Sequence, residues 1–151
     1  MVIYVRFQTI SNDARTAAPS VASLAAGERS LFTLRTVREA RRLEITLTGF
    51  WDADTMLAFE GEMLTALRGL KVLGGAKSCL VDASSYPVQS SEISARHQRL
   101  LAGLGELAAE RIAMIVPGQL VRRQAERTAA DLHHRTFMAR EEALLWLSEA
   151  D

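Results

Sequence analysis

The sequence predicts an α/β fold with a mixed, mostly parallel sheet of four to five strands covered by helices. Three patterns in the 151 residues indicate this fold. Residues 43–48 alternate apolar and polar side chains, as in a strand with one solvated face. Residues 78–81 and 111–116 are short apolar runs, which are typical of strands buried on both faces. Apolar stripes at helical spacing separate these strands, so the predicted order is ββαβαβα(β)α.

The first half of the chain predicts a hairpin followed by a helix. Residues 31–37 form a strand that pairs with residues 43–48 across a charged turn. Gly49 ends the second strand, and Asp52 or Asp54 can accept hydrogen bonds from the first amides of a helix. The apolar stripe of this helix, which ends near Gly69 or Gly74-Gly75, consists of Met56, Phe59, Met63, Leu64 and Leu67.

The next segment predicts a strand, a loop and a second helix. Residues 82–89 form the loop, in which Tyr86-Pro87 favours an extended turn. Ser90 or Ser91 can cap the helix, and Glu92 suits its first turn. The stripe of this helix consists of Ile93, His97, Leu100, Leu101 and Leu104.

The last third predicts a buried strand, two helices and a short edge strand. Pro117-Gly118 stops the strand at residues 111–116. Residues 136–138 read as the edge strand, and residues 141–149 as a final helix. The third helix is marked by Leu120, Val121, Ala125 and Leu132, and the final helix buries Ala143, Trp146 and Leu147.

Composition excludes several classes of function. Lys and Arg number 18 and Asp and Glu number 18, so the formal net charge is zero. A neutral chain has no long-range field to gather phosphates, so we expect no nucleic-acid binding. No apolar run reaches the roughly 20 residues of a membrane span, so we expect no membrane insertion. The single cysteine, Cys79, cannot form an intrachain disulfide or a cysteine metal cage.

The first 30 residues form a leader rich in Ala and Ser, ahead of a single domain at residues 31–151. Arg6, Asp13 and Arg15 place charges that interrupt the pattern of a signal peptide, so we expect a cytoplasmic protein. The apolar segment at residues 1–7 favours a subunit or domain contact. Strand addition or helix packing across subunits would then give a homodimer.

Three stretches together resemble the SpoIIAA-like fold of STAS domains and their CRAL-TRIO-like relatives. The strand at residues 43–51 ends in Gly-Phe-Trp, and residues 79–82 give a strand with an acidic end, followed by a Tyr-Pro loop. The strand at residues 111–116 precedes Phe137 and the Ala-Leu-Leu-Trp-Leu of residues 143–147. The resemblance covers about residues 31–149 and is closest to uncharacterised bacterial SpoIIAA-like domains.

This resemblance implies a non-catalytic regulatory or protein-interaction module with an unidentified protein partner. In anti-sigma-factor antagonists, a serine at the start of the helix after this strand is phosphorylated. A gap-free match places Ser91 at that position, while Ser90 stands where the family has Asp and Glu92-Ile93 replaces Ser-Gly. Ser90 and Ser91 are therefore candidate phosphoacceptors, with a plain helix cap as the alternative.

The CRAL-TRIO side of the resemblance implies an alternative function, a carrier or sensor of a small apolar ligand. The ligand would lie between the sheet and the helix of Met56, Phe59 and Met63, although those side chains also suit an ordinary core. A cavity beneath this helix would favour the carrier.

Candidate rim residues for a ligand or partner lie in loops at the predicted carboxyl edge of the sheet. Open α/β sheets bind ligands at that edge. The candidates are Trp51, Asp82, Ser84 and Tyr86. The alternatives are that Trp51 seals the core and that Asp82 forms an Asx turn.

We expect no catalytic set, no metal and no cofactor. Ser91 and His97 are nearly two helical turns apart, roughly 9 Å, which is too far for a hydrogen bond. The adjacent His133-His134 pair would point about 100° apart on a helix and lacks ligand spacing. Cys79 reads as an inert core thiol. The cluster of Arg122, Arg123 and Arg127 is typical of a solvated helix face, and the alternative is a binding site for phosphate or an acidic partner.

Overall fold

The computed structural model of the protein describes residues 30–130 and 132–149. The predicted leader at residues 1–30 lies, except for Ser30, outside the described residues. The elements are β1 Phe32–Val37, β2 Arg42–Thr48, α1 Ala53–Val72, β3 Ser78–Ser85, α2 Ser91–Ala102, a 3-10 turn Gly105–Leu107, β4 Arg111–Ile115, α3 Gln119–Thr128, β5 His134–Phe137 and α4 Arg140–Ser148.

The sheet has five strands in the order in which they occur along the chain. β1 pairs antiparallel with β2, and β2, β3, β4 and β5 pair in parallel. The predicted mixed, mostly parallel sheet is confirmed. Helices α1, α2 and α3 each connect two neighbouring parallel strands, and such connections are right-handed. Because the strand order runs in one direction across the sheet, all three helices lie on the same face.

Two hydrophobic cores lie on opposite faces of this sheet. On the larger face, which carries α1, α2 and α3, alternate residues of β2 join the core, namely Leu43, Ile45 and Leu47. On the other face, α4 packs on β3 and β4, where Trp146 and Leu147 join a cluster with Leu80. α4 buries Ala143, Trp146 and Leu147 as predicted.

A tight turn at Gly49 sets the direction of α1. Gly49 has φ +71, and a Cβ there would lie 2.9 Å from the Cδ2 atom of Leu31. An L-residue rarely adopts this conformation, so the turn requires glycine. The Asp52 carboxylate then accepts a hydrogen bond from the Thr55 amide at 2.9 Å and caps the helix. α1 buries the predicted stripe except Leu64, which is partly buried.

The predicted end of the third strand is wrong. The loop predicted to begin at Asp82 begins only after Ser85, because β3 keeps pairing with its neighbours. Asp82 pairs with Ile115 of β4, and Ser85 pairs with Thr48 of β2. Backbone pairing on both sides sustains the strand although its last side chains are polar.

The third helix also differs from its prediction. α3 ends at Thr128, so Leu132 lies beyond it, and Leu120 is exposed rather than part of the inward stripe. Its partly buried face consists of Val121, Gln124, Ala125 and Thr128. The final strand begins at His134, earlier than predicted. None of the described helices combines the length and the apolar character that a membrane span needs.

Leu43 tests the energetic weight of the larger core. Its side chain is 0% exposed, whereas Val72 at the end of α1 is 85% exposed. We expect Leu43→Ala to lower the free energy of unfolding by about 2–5 kcal/mol, because it leaves a cavity. We expect Val72→Ala to change it by less than about 0.5 kcal/mol. Urea unfolding measures both, and equal effects of the two substitutions would contradict this assignment of the core.

Candidate functional site

An aromatic cluster lies where β2 and β3 end. Trp51 contacts the rings of Phe59, Tyr86 and His97 at centroid distances of 5.1, 5.2 and 5.3 Å. Of the predicted rim residues, Trp51 and Tyr86 are buried, and Tyr86 lines the pocket described below. The indole N–H of Trp51 donates to the Thr48 carbonyl at 3.0 Å, which satisfies its polar atom inside the core.

Gln89 ties the loop before α1 to the loop before α2. Its buried side-chain oxygen accepts from the Trp51 amide at 2.8 Å. Its side-chain nitrogen donates to the carbonyls of Gly49 and Pro87, both at 2.9 Å. Three backbone groups near the core are thereby satisfied by one side chain. Sequence reasoning missed this role, because a glutamine in a polar loop carries no periodic signal.

Tyr86, which is buried, and His97, which is partly buried, form a polar pair. The Tyr86 hydroxyl lies 2.8 Å from Nε2 of His97, and either group can be the donor, depending on the tautomer. Burial lowers the pKa of His97 from its ordinary 6.5 to about 4, so the ring is neutral at physiological pH. Burial also raises the pKa of Tyr86. The sequence placed His97 on an apolar stripe without a partner, because Tyr86 comes near it only in the folded chain.

A cavity of about 100 Å³ lies between the larger face of the sheet and helices α1, α2 and α3. Phe59 and Met63 of α1 line it, as do Tyr86 and His97. Native interiors hold few voids larger than a water molecule. A cavity of this size, lined mainly by apolar side chains and partly open to solvent, is a candidate binding site.

Two candidate rim residues lie away from this cavity. Val81 and Ala83 of β3 line the cavity, so strand alternation places Asp82 and Ser84 on the opposite face of the sheet. Asp82 Oδ1 accepts from the Ser84 amide at 3.0 Å and from the Ser84 hydroxyl at 2.6 Å, the pattern of an Asx turn. Asp82 therefore does not approach His97.

Ser90 and Ser91 occupy the start of α2 in different ways. Ser90 is the N-cap residue, and its Oγ accepts from the Ile93 amide at 3.2 Å. Ser91 is the first residue of the helix, and both serines are exposed. A phosphate at this position would meet the positive end of the helix dipole.

The carboxyl-end edge of the sheet, where β2 to β5 end, exposes several large apolar side chains. Phe50 follows β2, Val88 follows β3, Leu120 follows β4 and Met138 follows β5. Among the described residues, seven large apolar side chains are strongly exposed, and these are four of them. Phe50 is 74% exposed and Leu120 is 70% exposed. Four exposed apolar side chains at one end of the domain make that end a candidate interaction surface. The sequence analysis did not single them out, because exposure depends on the fold.

The remaining candidates have structural surroundings. Cys79 is buried, and desolvation raises its pKa to about 12, so the thiol is protonated at neutral pH. His133 precedes β5 rather than lying on a helix, and its ring packs edge-on against Trp146. Arg122 pairs with Glu126 at 3.7 Å on the outer face of α3. In the part of the chain that the structure describes, no group of three or more His, Cys, Asp or Glu residues is arranged to hold a metal ion.

The comparisons with known proteins identify the fold. No protein-family model and no curated protein matches this sequence. An uncharacterised DUF3478-family protein with a SpoIIAA-like fold from Shewanella loihica PV-4 is similar in structure, with a TM-score of 0.55 and 21% identity. The match covers 80% of this chain and 96% of that one.

A second similar structure is an anti-sigma factor antagonist from Mycobacterium paratuberculosis, with a TM-score of 0.52 and 17% identity. That match covers 80% of this chain and 97% of the other. At these identities the likeness concerns the fold. The resemblance predicted from the sequence is confirmed at that level, and the described domain has a SpoIIAA-like, STAS-type fold.

The neutral state of His97 predicts a dependence of stability on pH. The unfolded chain protonates His97 near pH 6.5, whereas the folded chain does so only near pH 4. Between these values the unfolded state binds more protons, so stability falls as pH falls, by about 3 kcal/mol. We expect the stability difference between wild type and His97→Gln to shrink across this window and to stay constant above pH 7. Urea unfolding at several pH values measures it, and an unchanging difference would refute the assignment.

The two serines of α2 predict different effects on stability. Ser90→Ala removes the oxygen that caps the helix, so we expect the free energy of unfolding to fall by about 1 kcal/mol. Ser91→Ala removes an exposed hydroxyl, so we expect a change below about 0.5 kcal/mol. Chemical denaturation of both variants measures this. If Ser91→Ala proved to be the more destabilising substitution, the cap would be wrongly assigned.

Proposed function

We propose that this protein is a non-catalytic, STAS-type regulatory module that binds a partner protein at the carboxyl-end edge. The observation that carries the proposal is the exposure of Phe50, Val88, Leu120 and Met138 at that edge. The partner surface that suits them is apolar. The similarity to an anti-sigma factor antagonist supports it, because that protein is named for acting on another protein.

Ser91 is the proposed phosphoacceptor at this edge. The hydroxyl of Ser90 is engaged in the helix cap, whereas Ser91 is exposed at the first helical position. A phosphate there would add negative charge beside Val88 and Phe50, so it would weaken an apolar contact. Asp82 and Ser84 remain candidate rim residues for a partner that reaches the α4 side of the sheet.

A second candidate function is a carrier or sensor of a small apolar ligand. The cavity of about 100 Å³ favours it, because it lies beneath the helix where the sequence analysis expected such a pocket. The partner-binding module and the ligand carrier use different parts of the domain, so each can be tested alone.

A second copy of the chain is one partner that we propose, as the leader had suggested. The expected dimer has twice the monomer mass of 16.6 kDa. We also propose a cytoplasmic location, with which the single, buried thiol of Cys79 is consistent.

Partner binding predicts a selective loss on mutation of the carboxyl-end edge. The immobilised protein is incubated with extract of its host organism. We expect a Phe50→Asp, Leu120→Asp double variant to retain at least tenfold less of a specific partner protein than the wild type retains. A carboxylate placed in an apolar interface loses its hydration and gains no counter-charge, which costs several kcal/mol of binding free energy. Quantitative mass spectrometry of the retained proteins measures the loss, and light scattering reports whether the partner is a second copy.

Val72→Asp is the matched control for this experiment. Val72 is more exposed than Phe50 but lies at the end of α1, away from the carboxyl-end edge. The control variant should retain the partner at the wild-type level. Equal losses in the control and the double variant, or full retention by both, would overturn the proposed docking edge.

A further inference from the structure

The walls of the cavity define the charge of its occupant. Among the described residues that line it, none is Lys, Arg, Asp or Glu, and its polar groups are Tyr86, His97, Ser94, Gln124 and Thr128. The His97 ring is neutral at physiological pH. An ion without a counter-charge would lose its hydration there at high cost. The occupant that suits this cavity is therefore neutral.

The volume limits the occupant to about one ring. The cavity measures about 100 Å³, and an apolar cavity of roughly 150 Å³ holds benzene. Pockets for larger ligands measure roughly 300–1,000 Å³. Aromatic rings of Phe59, Tyr86 and His97 line one part of the wall, and ring edges and faces pack well against a planar guest.

The Tyr86–His97 pair gives this apolar space one place for a polar group. A phenolic oxygen can donate one hydrogen bond and accept another. If Tyr86 donates to Nε2 of His97, its oxygen can accept from a ligand. If His97 donates instead, the Tyr86 hydroxyl can donate to the ligand. A ligand hydroxyl suits both cases, because it can donate and accept.

We infer that the cavity binds a neutral, single-ring compound with one hydroxyl group, a phenol-like ligand whose hydroxyl meets the Tyr86–His97 pair. This inference rests on the second candidate function, the carrier or sensor of a small ligand. It specifies the charge, the size and the polar contact of that ligand.

Helix α3 offers a way to close the cavity without touching the polar pair. Val121, Gln124, Ala125 and Thr128 recur at three- and four-residue spacing and face the cavity. None of the residues of α3 is fully buried, so this helix is the least embedded part of the wall. Ala125→Leu adds three carbons on the cavity side, and Arg123→Leu puts the same side chain on the exposed side.

The test is an NMR titration of the full chain with phenol, benzene and benzoate. We expect phenol to bind about fivefold more tightly than benzene, the effect of one hydrogen bond of about 1 kcal/mol. We expect benzoate to bind at least tenfold more weakly than phenol, because its charge would be buried. Tyr86→Phe should reduce the preference for phenol over benzene to less than about twofold. Ala125→Leu should abolish binding of both rings, and Arg123→Leu should not.

The outcomes separate this inference from the function on which it rests. Binding of benzene and phenol with equal affinity would overturn the polar contact but leave a ligand-binding cavity. Tighter binding of benzoate would overturn the neutral ligand class. Binding of none of the three probes would overturn both the inference and the carrier function, while the docking edge would be unaffected. If Ala125→Leu failed to fold, as judged by circular dichroism, the Tyr86→Phe comparison would still decide the polar contact.

Discussion

The side-chain amide of Gln89 joins the two loops on which both candidate sites depend. A buried backbone group without a partner is costly, and Gln89 satisfies the Trp51 amide and the carbonyls of Gly49 and Pro87. These bonds fix where α1 and α2 begin. The positions of the two helices in turn set the wall of the cavity and the spacing of the carboxyl-end edge. The aromatic cluster around Trp51 packs against these two loops, whose backbone polar groups are paired with Gln89.

The cavity is bounded by the sheet, by the aromatic cluster and by α3. The sheet forms one wall, and the aromatic cluster holds α1 against it through Phe59, which contacts both Trp51 and His97. The cover on the remaining side is α3, whose inward residues Ala125 and Thr128 are too short to fill the space. A longer side chain at one of these positions would occupy part of the cavity.

Much of the fold could be predicted from the sequence, because period-two and helical patterns are local. The alternation in β2 and the stripe of α1 each follow from burial of one face. The end of β3 could not be predicted, because its polar residues stay extended only through pairing with two neighbouring strands. The Tyr86–His97 pair and the Gln89 contacts join residues that only the folded chain brings together. The sequence also could not divide the candidate rim residues between the two faces of the sheet, since position near a strand end does not reveal which way a side chain faces.

The cavity and the carboxyl-end edge meet at Gln124. The side-chain nitrogen of Gln124 donates to the Ser94 hydroxyl beside the cavity. Its side-chain oxygen accepts from the backbone N–H of Gln89 at 3.4 Å, just before the cap of α2. A ligand that displaced Gln124 from Ser94 would loosen a contact to the loop that carries Val88 and Ser90. Ligand binding in the cavity and partner binding at the carboxyl-end edge would then be coupled, by at most the free energy of the Gln124–Ser94 hydrogen bond. A single hydrogen bond limits the coupling to about 1 kcal/mol, roughly a fivefold change in partner affinity. The two proposed functions are therefore compatible in one domain, and a ligand in the cavity would change partner affinity only modestly.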